Sequence, residues 1–258
     1  MKKKWVLVYD SGVGGLSTLV ECEKKVSGVD FLYFADNKNC PYGNMSKKQI
    51  TDLVIRNIKS LLIKYDILAI LLACNTVTAC CVSELRKILS IPIIGIEPAV
   101  LPAVRRSKSK QILVLATNAT LRQEKYEQLL AKTDATVVSI GLENLAKDIE
   151  KYYLQGVSFN KAYYISKINE VLEKNPQIDK IVLGCTHYSH IKNMLQKEIG
   201  LTCFDGNLGV AKRLKNIIGC NINAEKKTNI IKMVLSKPNL EIKRAYQKAY
   251  KRLKNQEK

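Results

Sequence analysis

Short apolar runs at near-regular spacing, separated by stretches of helical period, constrain this chain more than any other feature. The runs read as strands at 5–9 (WVLVY), 30–35, 67–73 (ILAILLA), 91–96 (IPIIGI), 111–116 (QILVLA), 135–140, 178–184 (IDKIVLG) and 201–204. Segments such as 47–65 and 76–89 instead repeat their apolar residues with the period of a helix. Parallel neighbours need a crossover connection, so strands alternating with helices predict parallel sheets covered by helices on both faces. The fold class expected is α/β. The basic, proline-bearing stretch 98–110 (PAVLPAVRRSKSK) marks the crossing between two such units.

The pattern also repeats itself loosely. Strand 5–9 ends in Asp10-Ser11-Gly12, and 64 residues after Asp10 another apolar strand ends in Cys74-Asn75-Thr76. Strand 111–116 ends in Thr117-Asn118-Ala119, and 68 residues after Thr117 another ends in Cys185-Thr186-His187. Ligands of open α/β sheets bind beyond the carboxyl ends of the strands. Two halves that face each other would therefore set two thiols across one ligand. Each cysteine also opens a helical stretch, whose N-terminus favours thiolate over thiol.

The glycine cluster at 10–15 (DSGVGG) follows a strand, but the third glycine of a dinucleotide fingerprint falls on Ser17 and no Gly-Lys-Ser/Thr follows. Its glycines read as backbone N–H groups brought close to a carboxylate. At 258 residues and 47% hydrophobic, the chain can fill one large or two medium cores. Lys2, Lys3 and Lys4 lead into a short strand rather than a leader's apolar stretch, and no run approaches the roughly 20 residues a membrane span needs. A cytoplasmic protein is expected, with no membrane partner. Several of the eight cysteines (Cys22, Cys80, Cys81, Cys220) fall in helix-like segments and no metal-type CxxC occurs, so reduced thiols and no metal site are expected.

The net charge is +19, and residues 211–258 alone hold 14 Lys/Arg against 3 Asp/Glu. The basic residues are spread along the chain without a nucleic-acid motif, so they read as solvated lysines rather than a nucleic-acid surface. Within 240–253, Ile242, Tyr246, Ala249, Tyr250 and Leu253 recur at helical spacing among Lys243, Arg244, Lys248, Lys251 and Arg252. That predicts an amphipathic helix with its apolar stripe docked on the first unit.

Two opposed thiols without a cofactor motif narrow the chemistry. A nucleophilic hydrolase needs one thiolate and a base, which leaves the second cysteine surplus. Inverting a stereocentre by proton transfer needs a base on each face of a planar carbanion, each serving as acid in the reverse direction. Paired cysteines meet that need.

The strings VYDSGVGGLSTL (8–19), DNKNCPYGNMS (36–46), LLACNTVTA (71–79), IIGIEPAV (93–100) and IVLGCTHYSHI (181–191) resemble the glutamate racemases of the cofactor-independent aspartate/glutamate racemase superfamily. The resemblance spans residues 8 to about 210. It implies two pseudo-symmetric α/β domains, 1–97 plus 208–258 and 98–207, with glutamate between them. It implies interconversion of L- and D-glutamate for peptidoglycan synthesis, without cofactor, with a homodimer expected. By family pattern Cys74 deprotonates D-glutamate with Asp10 beside it, and Cys185 deprotonates L-glutamate with His187 beside it. Asp10, Ser11, Pro41, Tyr42, Gly43, Asn75, Thr76, Thr117 and Thr186 match positions that hold the substrate. His190 reads as a surface or helix residue. The family's further carboxylate has two candidates, Asp148 and Glu150. The alternatives are an aspartate racemase of the same superfamily and a catalytically lapsed binding protein with a basic tail.

Overall fold

The computed structural model describes residues 4–142, 144–219 and 228–256; Cys220 lies outside them. The first unit runs β1 (Lys4–Asp10), α1 (Leu16–Lys25), β2 (Asp30–Ala35), a 3-10 turn (Tyr42–Asn44), α2 (Lys47–Lys64), β3 (Asp66–Leu72), α3 (Asn75–Ile88) and β4 (Ile93–Gly95). The second runs α4 (Val100–Arg106), β5 (Gln111–Ala116), α5 (Asn118–Leu121), α6 (Glu124–Leu130), β6 (Thr136–Gly141), α7 (Leu145–Gln155), α8 (Lys161–Lys174), β7 (Lys180–Leu183), α9 (Thr186–Ser189), α10 (Lys192–Ile199) and β8 (Thr202–Phe204). The chain then continues through α11 (Asn207–Ile218), β9 (Ile231–Leu235) and α12 (Leu240–Gln256).

Two parallel sheets result, ordered β4-β3-β1-β2-β9 and β6-β5-β7-β8. Apart from β9, each sheet has the same winding: a first strand, the second on one side of it, the third and fourth on the other. The direction of winding therefore reverses beside β1 in one sheet and beside β5 in the other, which opens a crevice at the carboxyl ends of β1/β3 and of β5/β7. The loose repeat of the sequence is this topological repeat.

Strand side chains alternate between faces. Val6 and Val8 pack on one side of the first sheet with α1, α11 and α12, while Trp5, Leu7 and Tyr9 pack on the other with α2 and α3. In the second sheet Leu113 and Leu115 face α7, α8 and α9, and Ile112 and Val114 face α4 and α6. The basic crossing holds α4, whose Val100, Ala103 and Val104 are buried.

Beyond β8 the chain returns to the first sheet. The amphipathic C-terminal helix docks as expected, burying Tyr246, Ala249 and Leu253 against the α1 side. Strand β9 was not expected from the sequence. It lies at an edge, paired among the described residues with β2 alone, and its alternating burial with exposed Lys232 is too short to stand out as a strand.

Candidate active site

The two crevices meet, and polar strand ends meet with them. Asp10 closes β1 fully buried, with Oδ1 accepting the Gly12 N–H at 2.7 Å. Its Oδ2 accepts the Thr186 hydroxyl of the other sheet at 3.2 Å. Cys74 and Cys185 occupy equivalent places, each in extended conformation as the N-cap of the helix after an inner strand, α3 and α9. Both are buried. Ser11 Oγ lies 3.9 Å from Cys74 Sγ, and His187 Nδ1 lies 3.9 Å from Cys185 Sγ. Thr76 of α3 meets Thr117 at 3.0 Å across the crevice. Most of the residues singled out from the sequence thus come to one locus.

The remaining ones flank it. Asn75 is buried, and its Oδ1 has no hydrogen-bond partner among the described residues. A buried acceptor of this kind is costly until a donor reaches it. Gly43 faces Thr117, where an added Cβ would stand 3.9 Å from the threonine Cβ. Pro41 is half-buried beside it. The Tyr42 hydroxyl is engaged inside the first unit, donating to Asp36 Oδ2 at 2.5 Å and lying 3.0 Å from the Tyr9 hydroxyl.

Of the two candidate carboxylates, Glu150 reaches the site. Its Oε2 accepts the Val13 N–H at 2.8 Å and lies 2.8 Å from His187 Nε2, and its Oε1 accepts the Tyr246 hydroxyl at 2.9 Å. Asp148 turns away to accept the Tyr164 hydroxyl at 2.6 Å. Residues two apart on a helix point nearly opposite ways, so one helix could not offer both.

Burial and charge set the protonation pattern. Burial alone would push the Glu150 carboxyl up, but the His187 hydrogen bond and charge, the Val13 N–H and the Tyr246 hydroxyl together hold it below the usual range. His187 is the converse: burial opposes its charge, and hydrogen bonds to Cys185, Cys40 and Glu150 raise it well above an ordinary histidine. The pair is an imidazolium against a carboxylate. Burial pushes Asp10 up to about 7, with His187 and the Gly12 N–H opposing the rise and Glu150 adding to it. Cys74 departs from the thiolate expected at a helix start. Its burial, reinforced by the Asp10 charge, raises the thiol, outweighing the Val77 N–H and the helix terminus.

His190 is not at the surface. It ends α9 in a partly buried place, with Nε2 donating to the Gly14 carbonyl at 3.0 Å and its ring edge-on to Tyr153 at 4.7 Å. Burial and the His187 charge lower it to about 4, so it stays neutral and acts as a strut under the glycine loop. That loop needs its glycines: a Cβ on Gly14 would stand 2.6 Å from His187 Nδ1.

Sequence reading missed two residues of the site. Thr120 completes a hydroxyl triangle with Thr76 at 3.1 Å and Thr117 at 2.9 Å. A threonine three residues after the N-cap Thr117 was the available signal. Cys40, in the loop after β2, meets His187 and Glu150, and nothing local marks it.

Comparison with known proteins bears on this arrangement. Residues 19–255 match the family described as Asp/Glu/hydantoin racemase. The chain is 38% identical over 240 residues to a glutamate racemase of Clostridium novyi, covering 90% of this chain and 91% of that one. It is 40% identical over 211 residues to a glutamate racemase of Leptospira interrogans, covering 80% of each. The crystal structure of a glutamate racemase isoform from Bacillus anthracis superposes with a TM-score of 0.81 at 27% identity, covering 96% of this chain and 94% of that one.

Proposed function

Because this chain belongs to the Asp/Glu/hydantoin racemase family, we propose that it interconverts L- and D-glutamate by proton transfer between two cysteines. The observation that carries the proposal is the pair of buried thiols, Cys74 and Cys185, each capping a helix at the switch point of its own sheet. The glutamate racemases among its relatives support glutamate over aspartate as substrate.

In this reading the two sheets form two domains with the α-carbon of glutamate between them. Cys185 removes the proton of L-glutamate and Cys74 that of D-glutamate. His187 Nδ1 lies 3.9 Å from Cys185 Sγ, placed to take part in its proton transfer. Cys74, kept protonated by burial, is ready to donate to the opposite face. A turn from L to D requires one group that accepts the proton and one that donates it. The substrate ammonium would give Asn75 Oδ1 its missing donor and offset the buried charge of Asp10. The hydroxyls of Ser11, Thr76, Thr117, Thr120 and Thr186, with the helix N-termini, suit carboxylates. Product would serve peptidoglycan synthesis in the cytoplasm, and the enzyme would act as a homodimer without cofactor. Among the described residues no helix is long and apolar enough to cross a membrane.

Circular dichroism of purified protein with each enantiomer of glutamate and aspartate tests the proposal. Glutamate of either hand should decay to zero rotation and aspartate should not. Cys74→Ala and Cys185→Ala should each lower turnover by several orders of magnitude. Full turnover by either variant would end the two-thiol reading.

A further inference from the structure

A thiol, an imidazole and a carboxylate converge behind the reacting cysteines. Cys40 Sγ, a ring nitrogen of His187 and a carboxylate oxygen of Glu150 all lie within 4.8 Å of one another. The imidazole and carboxylate already touch, Nε2 to Oε2 at 2.8 Å. They come from three distant parts of the chain, and Gly12 makes the convergence possible. A Cβ there would stand 2.3 Å from Glu150 Oε2 and 2.5 Å from Cys40 Sγ.

The geometry points to a binding site for a thiophilic divalent cation, with zinc the best match, formed by Cys40, His187 and Glu150, at which the metal inhibits rather than assists. Zinc takes sulfur at about 2.3 Å and nitrogen or oxygen at about 2.0–2.2 Å, four ligands in a tetrahedron. Ligand atoms around such an ion stand roughly 3–4 Å apart, so the three groups need to shift by about 1 Å or less. The mixed sulfur, nitrogen and oxygen set disfavours magnesium and calcium, which take oxygen. Two outer contacts hold the set in place: Tyr246 on Glu150 Oε1 and Cys185 beside His187 Nδ1. The fourth position of the tetrahedron would fall to water. Cys40 is a partly exposed residue, although its sulfur is packed against Gly12.

On binding, Cys40 gives up its thiol proton and His187 the proton that Nε2 shares with Glu150, and both pass to solvent. The ion then replaces the proton between His187 and Glu150. Nδ1 stays beside Cys185, but with Nε2 on the metal the imidazole can no longer pass a proton taken from Cys185 on to Glu150. The inhibitory consequence rests on the racemase reading, whereas the binding itself does not.

Cobalt(II), which reports thiolate ligation by a charge-transfer band and tetrahedral geometry by its visible bands, is the first probe. Added to the full chain it should give both bands, and zinc should abolish them. The bands should vanish in Cys40→Ser and persist in Cys74→Ala and Cys185→Ala. Zinc at micromolar concentration should inhibit the parent, and Cys40→Ser should need at least tenfold more. A zinc-edge anomalous peak from a soaked crystal of the unaltered chain, between Cys40, His187 and Glu150, gives the same answer without a variant. No cobalt thiolate band in the parent, or a band and anomalous peak that belong to Cys74 or Cys185, overturns the site. Binding without turnover would overturn the racemase reading and leave the site standing.

Discussion

Asp10 is the residue whose environment makes the sharpest quantitative statement. Its carboxyl is raised to about 7 in the fold, against roughly 3.9 in an unfolded chain. Between those values the folded protein holds a proton that the unfolded chain does not, so stability falls as pH rises through that window and levels off above it. Asp10→Asn cannot ionise and keeps an oxygen for the Gly12 N–H. Its melting temperature should therefore gain on the parent's from pH 4 to 7, by on the order of 2–4 kcal/mol in stability, with no further gain above. Thermal melts across pH check this, and a constant difference would mean that Asp10 is not ionised at the cost of the fold. That Asp10, Cys74, Cys185 and His187 would lie at one locus was legible because each is a polar residue set abruptly at the end of an apolar strand. Cys40, Thr120 and the choice of Glu150 over Asp148 were not, because their neighbours are supplied by distant segments. The protonation of Cys74 was misjudged for a related reason. The helix terminus is a local property visible in sequence, and burial is not.

At the scale of elements, α12 joins the fold to the site. Its buried stripe packs on the α1 side, and Tyr246, itself fully buried, hands its hydroxyl to Glu150. Truncation after Lys237 should remove on the order of 5 kcal/mol of apolar burial and uncover the face of α1 to a hydrophobic dye. Unchanged melting would show that the helix does not contribute to the core. The finer variant, Tyr246→Phe, keeps the packing and removes the hydroxyl alone. It should cost about 1 kcal/mol and slow turnover with little change in KM, since Glu150 would then hold His187 less firmly. A change confined to melting would reduce Tyr246 to a packing residue. The amphipathic period made α12 visible in the sequence. Its contact with a partly buried glutamate of the second unit could not be, since helical periodicity says which face is apolar and not what lies opposite. Edge strand β9 escaped notice because one buried face and a lysine give it half the signal of an inner strand.

The whole molecule is two copies of one winding whose open ends touch. Eight of the nine strands among the described residues follow from apolar runs and their spacing, which is why the α/β class was legible while the strand order and the missing donor of Asn75 were not. Hydroxyl contacts such as Thr186 to Asp10 and Thr76 to Thr117 bridge the halves directly, so a substrate seated between them adds contacts to both. Either enantiomer of glutamate at about 100 times its Kd should raise stability by about 2.7 kcal/mol, read as an upward shift in melting temperature. Equal stabilisation by aspartate would move the substrate assignment to the rival amino acid.

The central claim, that two different thiols serve the two faces of one carbon, is tested most directly by running the reaction from L-glutamate in D₂O and following both enantiomers at early times by mass spectrometry. A thiol that has exchanged with solvent donates deuterium, so D-glutamate should form with one deuterium at the α-carbon while unreacted L-glutamate stays unlabelled. D-glutamate that keeps its original hydrogen, or L-glutamate that acquires deuterium as fast as product appears, would mean that one base serves both faces and would contradict the account.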